Sequence, residues 1–128
     1  MNSKPTILPT ILVIDDDDAV RDSISVLLGV EGFIVRSYPS SAAFLREAQL
    51  DQNCCLIVDM HMPGMDGLAL LQRLRREGFE TPAVVMTGNA NETLRRALGV
   101  VRGVLLEKPF RLWEMMASIS AATGKDNL

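Results

Sequence analysis

Short apolar runs in this chain of 128 residues end on side chains that can bind metal or react. Ile11-Leu12-Val13-Ile14 runs into Asp15 and Asp16, and Cys54-Cys55-Leu56-Ile57-Val58 runs into Asp59. Ala83-Val84-Val85-Met86 runs into Thr87, and Val104-Leu105-Leu106-Glu107 runs into Lys108 and Pro109. If the runs are parallel strands, their ends share one rim, where open α/β sheets bind ligands. Three ionised carboxylates held together out of water repel one another. A hard divalent cation relieves that repulsion, and Mg²⁺ suits an open, partly hydrated site with one or two carboxylates and a phosphate. A carboxylate can also attack a phosphoryl group. That reaction needs neutralised charge and in-line positioning more than it needs a base. Lys108 offers the second positive charge, and the bond before Pro109 is open to either isomer.

Each of these residues has a plainer reading when taken alone. Aspartates after a strand cap the next helix and favour its dipole, and this suffices for Asp17 and Asp18. A strand-end lysine is usually solvated, and a threonine there is usually a turn residue. Asp59 is different, because it opens a loop containing Pro63 and Gly64 rather than a helix.

The elements that would position these groups alternate. A strand over 10–14 precedes a helix with Val20, Ile24, Leu27 and Leu28 on one face, stopped between Gly29 and Gly32. Residues 33–38 form a second strand, and Ser40 or Ser41 caps a short helix holding Ala43, Phe44 and Ala48. The third strand is 54–58, followed by a helix with Leu68, Leu71 and Leu74 inward and Arg73, Arg75 and Arg76 outward. The fourth strand is 83–86, the fourth helix 91–98 and the fifth strand 103–107. Leu112, Met115, Met116 and Ile119 mark the last helix. This alternation predicts a doubly wound, five-stranded parallel sheet with helices on both faces. The first, third and fourth strands are apolar enough to be central, while Arg36 and Tyr38 mark the second as an edge. Residues 1–9 read as a loose lead-in and 123–128 as a frayed end.

Composition excludes several classes. A net charge of −3 is too small for a dedicated nucleic-acid or membrane-surface binder. No apolar stretch approaches the roughly 18–20 residues that span a bilayer, and no secretory leader is evident. Cys54 and Cys55 are adjacent, so they point to opposite faces of a strand and cannot staple distant segments. Two buried, reduced thiols in a cytoplasmic protein are expected.

Ile14-Asp15-Asp16, the stretch Val58-Asp59-Met60-His61-Met62-Pro63-Gly64-Met65-Asp66-Gly67, Met86-Thr87-Gly88 and Glu107-Lys108-Pro109-Phe110 together resemble the receiver domain of bacterial response regulators. The resemblance runs from about Thr10 to Thr123 and is greatest to the nitrogen-fixation regulator branch, whose members often carry a DNA-binding output domain. It implies one receiver domain over 1–128 with its core at about 10–123, and a flavodoxin-like (βα)5 sheet ordered 2-1-3-4-5. Asp59 would accept a phosphoryl group from a sensor histidine kinase or phosphotransfer protein. Asp16, Asp59 and the backbone carbonyl of His61 would bind Mg²⁺, with Asp15 holding a metal-bound water. Thr87 and Lys108 would bond phosphoryl oxygens, shifting a pre-existing two-state equilibrium. The protein would be a signalling switch catalysing only its own phosphorylation and dephosphorylation. Its output would reach a downstream protein or a second copy through the fourth helix, fifth strand and fifth helix. No direct contact with nucleic acid or membrane is expected of these residues.

The chain departs from the family near that output face. Leu105 stands where an aromatic switch residue is common, Val101 and Arg102 replace a small-residue pair, and the loop after Thr87 is about one residue short. Retained phosphorylation chemistry with unusual output is the expectation. His61 and Asn89 would flank the phosphoryl group, and Arg95, Arg96 and Arg102 form a candidate docking patch. Trp113 is open to a core or interface role. The competing reading is an Asp-dependent phosphohydrolase of the haloacid-dehalogenase type, since Asp16-Asp17-Asp18-Ala19-Val20 fits DxDxV with Asp16 as nucleophile and Asp18 as acid/base.

Overall fold

The computed structural model describes residues 7–125. Five parallel strands, β1 (Thr10–Ile14), β2 (Val35–Tyr38), β3 (Cys54–Asp59), β4 (Ala83–Thr87) and β5 (Gly103–Glu107), lie in the order β2-β1-β3-β4-β5. The helices α1 (Asp18–Val30), α2 (Ser41–Glu47), α3 (Gly67–Arg76), α4 (Glu92–Val100) and α5 (Leu112–Thr123) alternate with them. Short polar side chains start four helices. Asp17, Ser40, Asp66 and Asn91 each accept backbone N–H groups of the first turn, which would otherwise lack partners. The fifth begins with the Glu114 carboxylate accepting the Arg111 N–H at 3.0 Å.

Strand residues alternate between two buried layers. Leu12, Ile14, Leu56, Val58 and Val85 pack under Phe44, Leu70, Leu71, Leu74, Leu94 and Leu98 from α2, α3 and α4. Ile11, Val13, Ile57, Val84 and Met86 pack under Ile24, Leu28, Met115 and Ile119 from α1 and α5. Cys54 lies in the first layer and Cys55 in the second, both as free thiols. Burial pushes the Cys55 thiol up to about 12, so it stays protonated. Among the described residues no helix is long and apolar enough to cross a membrane.

Several expectations need correction. Leu27 is 45% exposed, because the face of α1 that meets the sheet centres on Ile24 and Leu28. The second strand starts at Val35 rather than residue 33. Gly32 takes a left-handed φ of 98° and Phe33 donates its N–H to Leu28 O, so the chain is still closing α1 there. Leu70 joins Leu71 and Leu74 as fully buried residues of α3, while Leu68 packs half-buried against the same layer. Arg75 does not point away. Its Nε donates to Val101 O and its Nη1 to Phe79 O, both at 2.8 Å, tying α3 to the end of α4. The fourth helix spans Glu92–Val100, with Asn91 serving as its cap. Trp113 is 66% exposed and so is not core. At the C-terminus α5 closes at Gly124, and Lys125 donates to Ile7 O, so residues 123–125 are tied down. Residues 1–6 of the expected lead-in and 126–128 of the expected frayed end lie outside the described residues.

Candidate functional site

Strand register brings the reactive residues to one rim. Ile14 pairs with Val58, Asp59 with Met86 and Thr87 with Glu107. Ladder bonds continue just past the strand ends: Asp15 N–H to Tyr38 O at 3.2 Å, Met60 N–H to Met86 O at 2.8 Å, and Lys108 N–H to Thr87 O at 2.8 Å. Loops that leave a rigid sheet in this way hold side chains to a fixed geometry.

At the centre, one carboxylate oxygen from each of Asp15, Asp16 and Asp59 lies within 4.8 Å of the others. Asp15 and Asp59 are buried, while Asp16 faces solvent. Asp15 Oδ1 accepts the Asp17 N–H at 2.9 Å. Its Oδ2 is buried and finds no hydrogen-bond partner among the described residues. Burial is the main cause that raises the Asp15 carboxyl above its ordinary range; the Asp17 N–H opposes it, and the Asp59 charge adds to the rise. On the other side, Lys108 Nζ stands 3.2 Å from Asp59 Oδ1. The His61 N–H reaches the same oxygen at 3.4 Å.

The Thr87 hydroxyl accepts the Asn89 N–H at 3.1 Å, leaving its own proton to donate. His61 Nε2 lies 3.4 Å from it. The His61 ring thus meets the threonine, a contact that sequence spacing does not reveal because it joins two loops 26 residues apart. The Lys108–Pro109 peptide is cis.

Sequence reasoning passed over Gly67. A Cβ there would sit 2.7 Å from the Asp59 carbonyl oxygen, so only glycine lets α3 start this close to the end of β3. The signal was present, since a glycine at the first position of an apolar helix otherwise favours the coil. The loop before it is held by Ser41 Oγ, which donates to Met65 O at 2.9 Å. Arg21 was also passed over. It donates to the Asp15 carbonyl at 2.6 Å and pairs with Asp18.

Three carboxylates facing one ammonium leave excess negative charge. The oxygen-only donor set and the orphaned Asp15 Oδ2 fit a hard divalent cation. The basic patch expected on α4 is largely neutralised. Arg95 pairs with Glu107 at 2.9 Å, Arg96 with Glu92 at 3.2 Å and Arg102 with Glu80 at 2.6 Å. Leu105 is half-buried on the α4 side of the sheet, opposite Val85.

Residues 11–120 match the family model of the response regulator receiver domain, and the chain belongs to that family. Receiver domains are signalling switches that take phosphoryl groups from histidine kinases and use Mg²⁺ at an acidic pocket. The transcriptional regulatory protein FixJ of Azorhizobium caulinodans is 38% identical over 94% of this chain and 57% of its own length. The crystal structure of FixJ-N superposes with a TM-score of 0.82 at 28% identity, covering 96% of this chain and 99% of that one. Chemotaxis protein CheY4 of Vibrio cholerae, at 22% identity, covers 91% of this chain and 99% of its own with a TM-score of 0.80, and shows the fold alone. The chain spans just over half the length of the FixJ relatives it matches, 57%, 55% and 56%. The haloacid-dehalogenase reading is not supported. Asp17 caps α1, and the Asp18 side chain is 87% exposed and paired with Arg21, outside the carboxylate cluster.

Proposed function

We propose that this chain is the phospho-accepting switch of a two-component pathway, with Asp59 as acceptor and residues 10–123 acting as one receiver unit. A carboxylate oxygen of Asp59 attacks the phosphorus of a phosphohistidine on a sensor kinase or phosphotransfer protein. The phosphorus–nitrogen bond breaks, the imidazole leaves with a proton from solvent, and an aspartyl phosphate remains. Attack by water later returns the carboxylate and inorganic phosphate. Both steps draw on this chain's own residues, so no separate metabolite is turned over.

The observation that carries this reading is the Lys108 ammonium 3.2 Å from Asp59 Oδ1 beside a three-carboxylate cluster. The ammonium gives the transferred oxygens a fixed positive partner as charge builds on them. Asp16, Asp59 and the His61 carbonyl would hold Mg²⁺, with Asp15 supporting it through water. When bound, the ion neutralises charge on the acceptor and on the phosphoryl oxygens. Thr87 exchanges its present partner for a phosphoryl oxygen, and His61 and Asn89 border the path of water. The face of α4, β5 and α5 is where a downstream protein or a second copy reads the state, with Leu105 in place of a ring making that readout atypical. A cytoplasmic setting accords with a kinase donor and free thiols.

Incubation with acetyl phosphate, followed by intact mass, tests this reading. One phosphoryl group should be gained with Mg²⁺ and none with EDTA. Lys108→Met should slow the gain by about a hundredfold, the scale of losing one charge-stabilising donor. Equal labelling in EDTA, or an undiminished rate in Lys108→Met, would contradict it.

A further inference from the structure

Arg21 has a task that the acceptor chemistry leaves unstated. Its side chain is only 14% exposed, although a guanidinium is always charged. Nη1 donates to the carbonyl oxygen of Asp15 at 2.6 Å, and Nη2 pairs with the Asp18 carboxylate. Asp15 opens the acidic loop after β1. Its N–H is held by Tyr38 O, its Oδ1 by the Asp17 N–H and its carbonyl by Arg21. Only Oδ2 is left without a partner among the described residues. The Asp15 carbonyl belongs to the peptide joining Asp15 to Asp16. Rotation of that peptide would move one carboxylate of the cluster relative to the other. A guanidinium can hold a carbonyl and a carboxylate together in one rigid fork, which a lysine ammonium cannot.

We propose that Arg21 is a positioning residue for divalent-cation binding. Its guanidinium fixes the Asp15–Asp16 peptide so that both carboxylates face Asp59 in one geometry. The inference rests on reading the carboxylate cluster as a Mg²⁺ site. Groups that orient ligands without touching the metal typically change affinity by 10–100-fold when removed. A merely structural arginine would lower thermal stability and leave the affinity of the folded protein unchanged.

The test is a Mg²⁺ titration of the full chain followed by amide NMR shifts, at a temperature where circular dichroism shows each variant folded. Arg21→Gln and Arg21→Lys should both raise the Mg²⁺ Kd by roughly tenfold or more. Asp18→Asn, which leaves the carbonyl contact in place, should raise it by less. Wild-type affinity in folded Arg21→Gln would overturn the inference. So would wild-type affinity in Arg21→Lys beside a weakened Arg21→Gln, since charge alone would then suffice. If Arg21→Gln does not fold, Arg21→Lys and Asp18→Asn decide the matter by the same criteria. Asp16→Asn serves as the control that loses binding. A wild-type protein that does not bind Mg²⁺ would remove the metal reading and this inference together, whereas binding by wild type with unchanged Arg21 variants removes the inference alone.

Discussion

Asp15 sets the electrostatic character of the site. Its carboxyl is buried beside two others, and one oxygen lacks a partner among the described residues, so ionisation in the metal-free protein is disfavoured. The folded state therefore holds the Asp15 proton more tightly than the unfolded chain does. The sign follows directly: native protein binds more protons, so this group's contribution to stability falls as pH rises above its ordinary value of 3.8. Asp15→Asn removes the charge while keeping the shape. Thermal unfolding in EDTA at neutral pH should show Tm raised by about 3–5 °C, equivalent to roughly 1 kcal/mol. The same variant should flatten the fall of Tm with pH and weaken Mg²⁺ binding. A lowered Tm in EDTA would count against the account. Residue types and strand-end placement made Asp15, Asp16, Asp59, Thr87 and Lys108 legible in the sequence. The Arg21–Asp15 carbonyl bond and the His61–Thr87 contact were not, because they depend on side-chain rotamers and loop paths that no periodicity encodes.

Elements transmit that geometry, and the start of α3 is the tightest junction. Gly67 donates its N–H to Met60 O at 3.1 Å and leaves no space for a Cβ against the Asp59 carbonyl. The obstacle is backbone, so Gly67→Ala must push α3 or the end of β3 aside. Overpacking of this kind costs about 1–3 kcal/mol. Denaturant unfolding should report a loss in that range, and the displaced strand end should lower Mg²⁺ affinity as well. An alanine variant with wild-type stability and affinity would show that the junction yields freely. Strands and their burial were readable because apolar runs of this length, separated by helical patterns, allow few other arrangements. Helix faces were read less well. Leu27 on α1 and Leu70 on α3 differ from expectation because several apolar spacings fit one helix and only packing on the sheet selects the buried face. Arg75 differs because the open carbonyls of Phe79 and Val101 draw its guanidinium inward, and burial and Arg102 lower its proton affinity.

At the scale of the whole molecule, α4 packs beside β5, the strand that ends next to Lys108, and this is the side on which the proposed switch would be read. Two ion pairs, Arg95–Glu107 and Arg96–Glu92, are made by α4, and a third, Arg102–Glu80, joins the turn before β5 to the loop before β4. Each is exposed, and exposed pairs contribute only about 0–1 kcal/mol, so they can rearrange at little cost. Arg95–Glu107 joins α4 to the residue next to Lys108, which links the helix to the site through one side chain. Leu105 fills part of the layer beneath α4, opposite Val85. The sequence pattern singled out Leu105, but not the ion pairs that α4 makes. All of this presupposes that Asp59 carries the phosphoryl group. The most direct measurement is to phosphorylate the protein with acetyl phosphate and Mg²⁺, reduce the acyl phosphate with borohydride, and locate the modified residue by tandem mass spectrometry in wild type, Asp59→Asn and Asp16→Asn. The account predicts modification at Asp59 in wild type and none in Asp59→Asn. An adduct that survives Asp59→Asn and disappears in Asp16→Asn would contradict it.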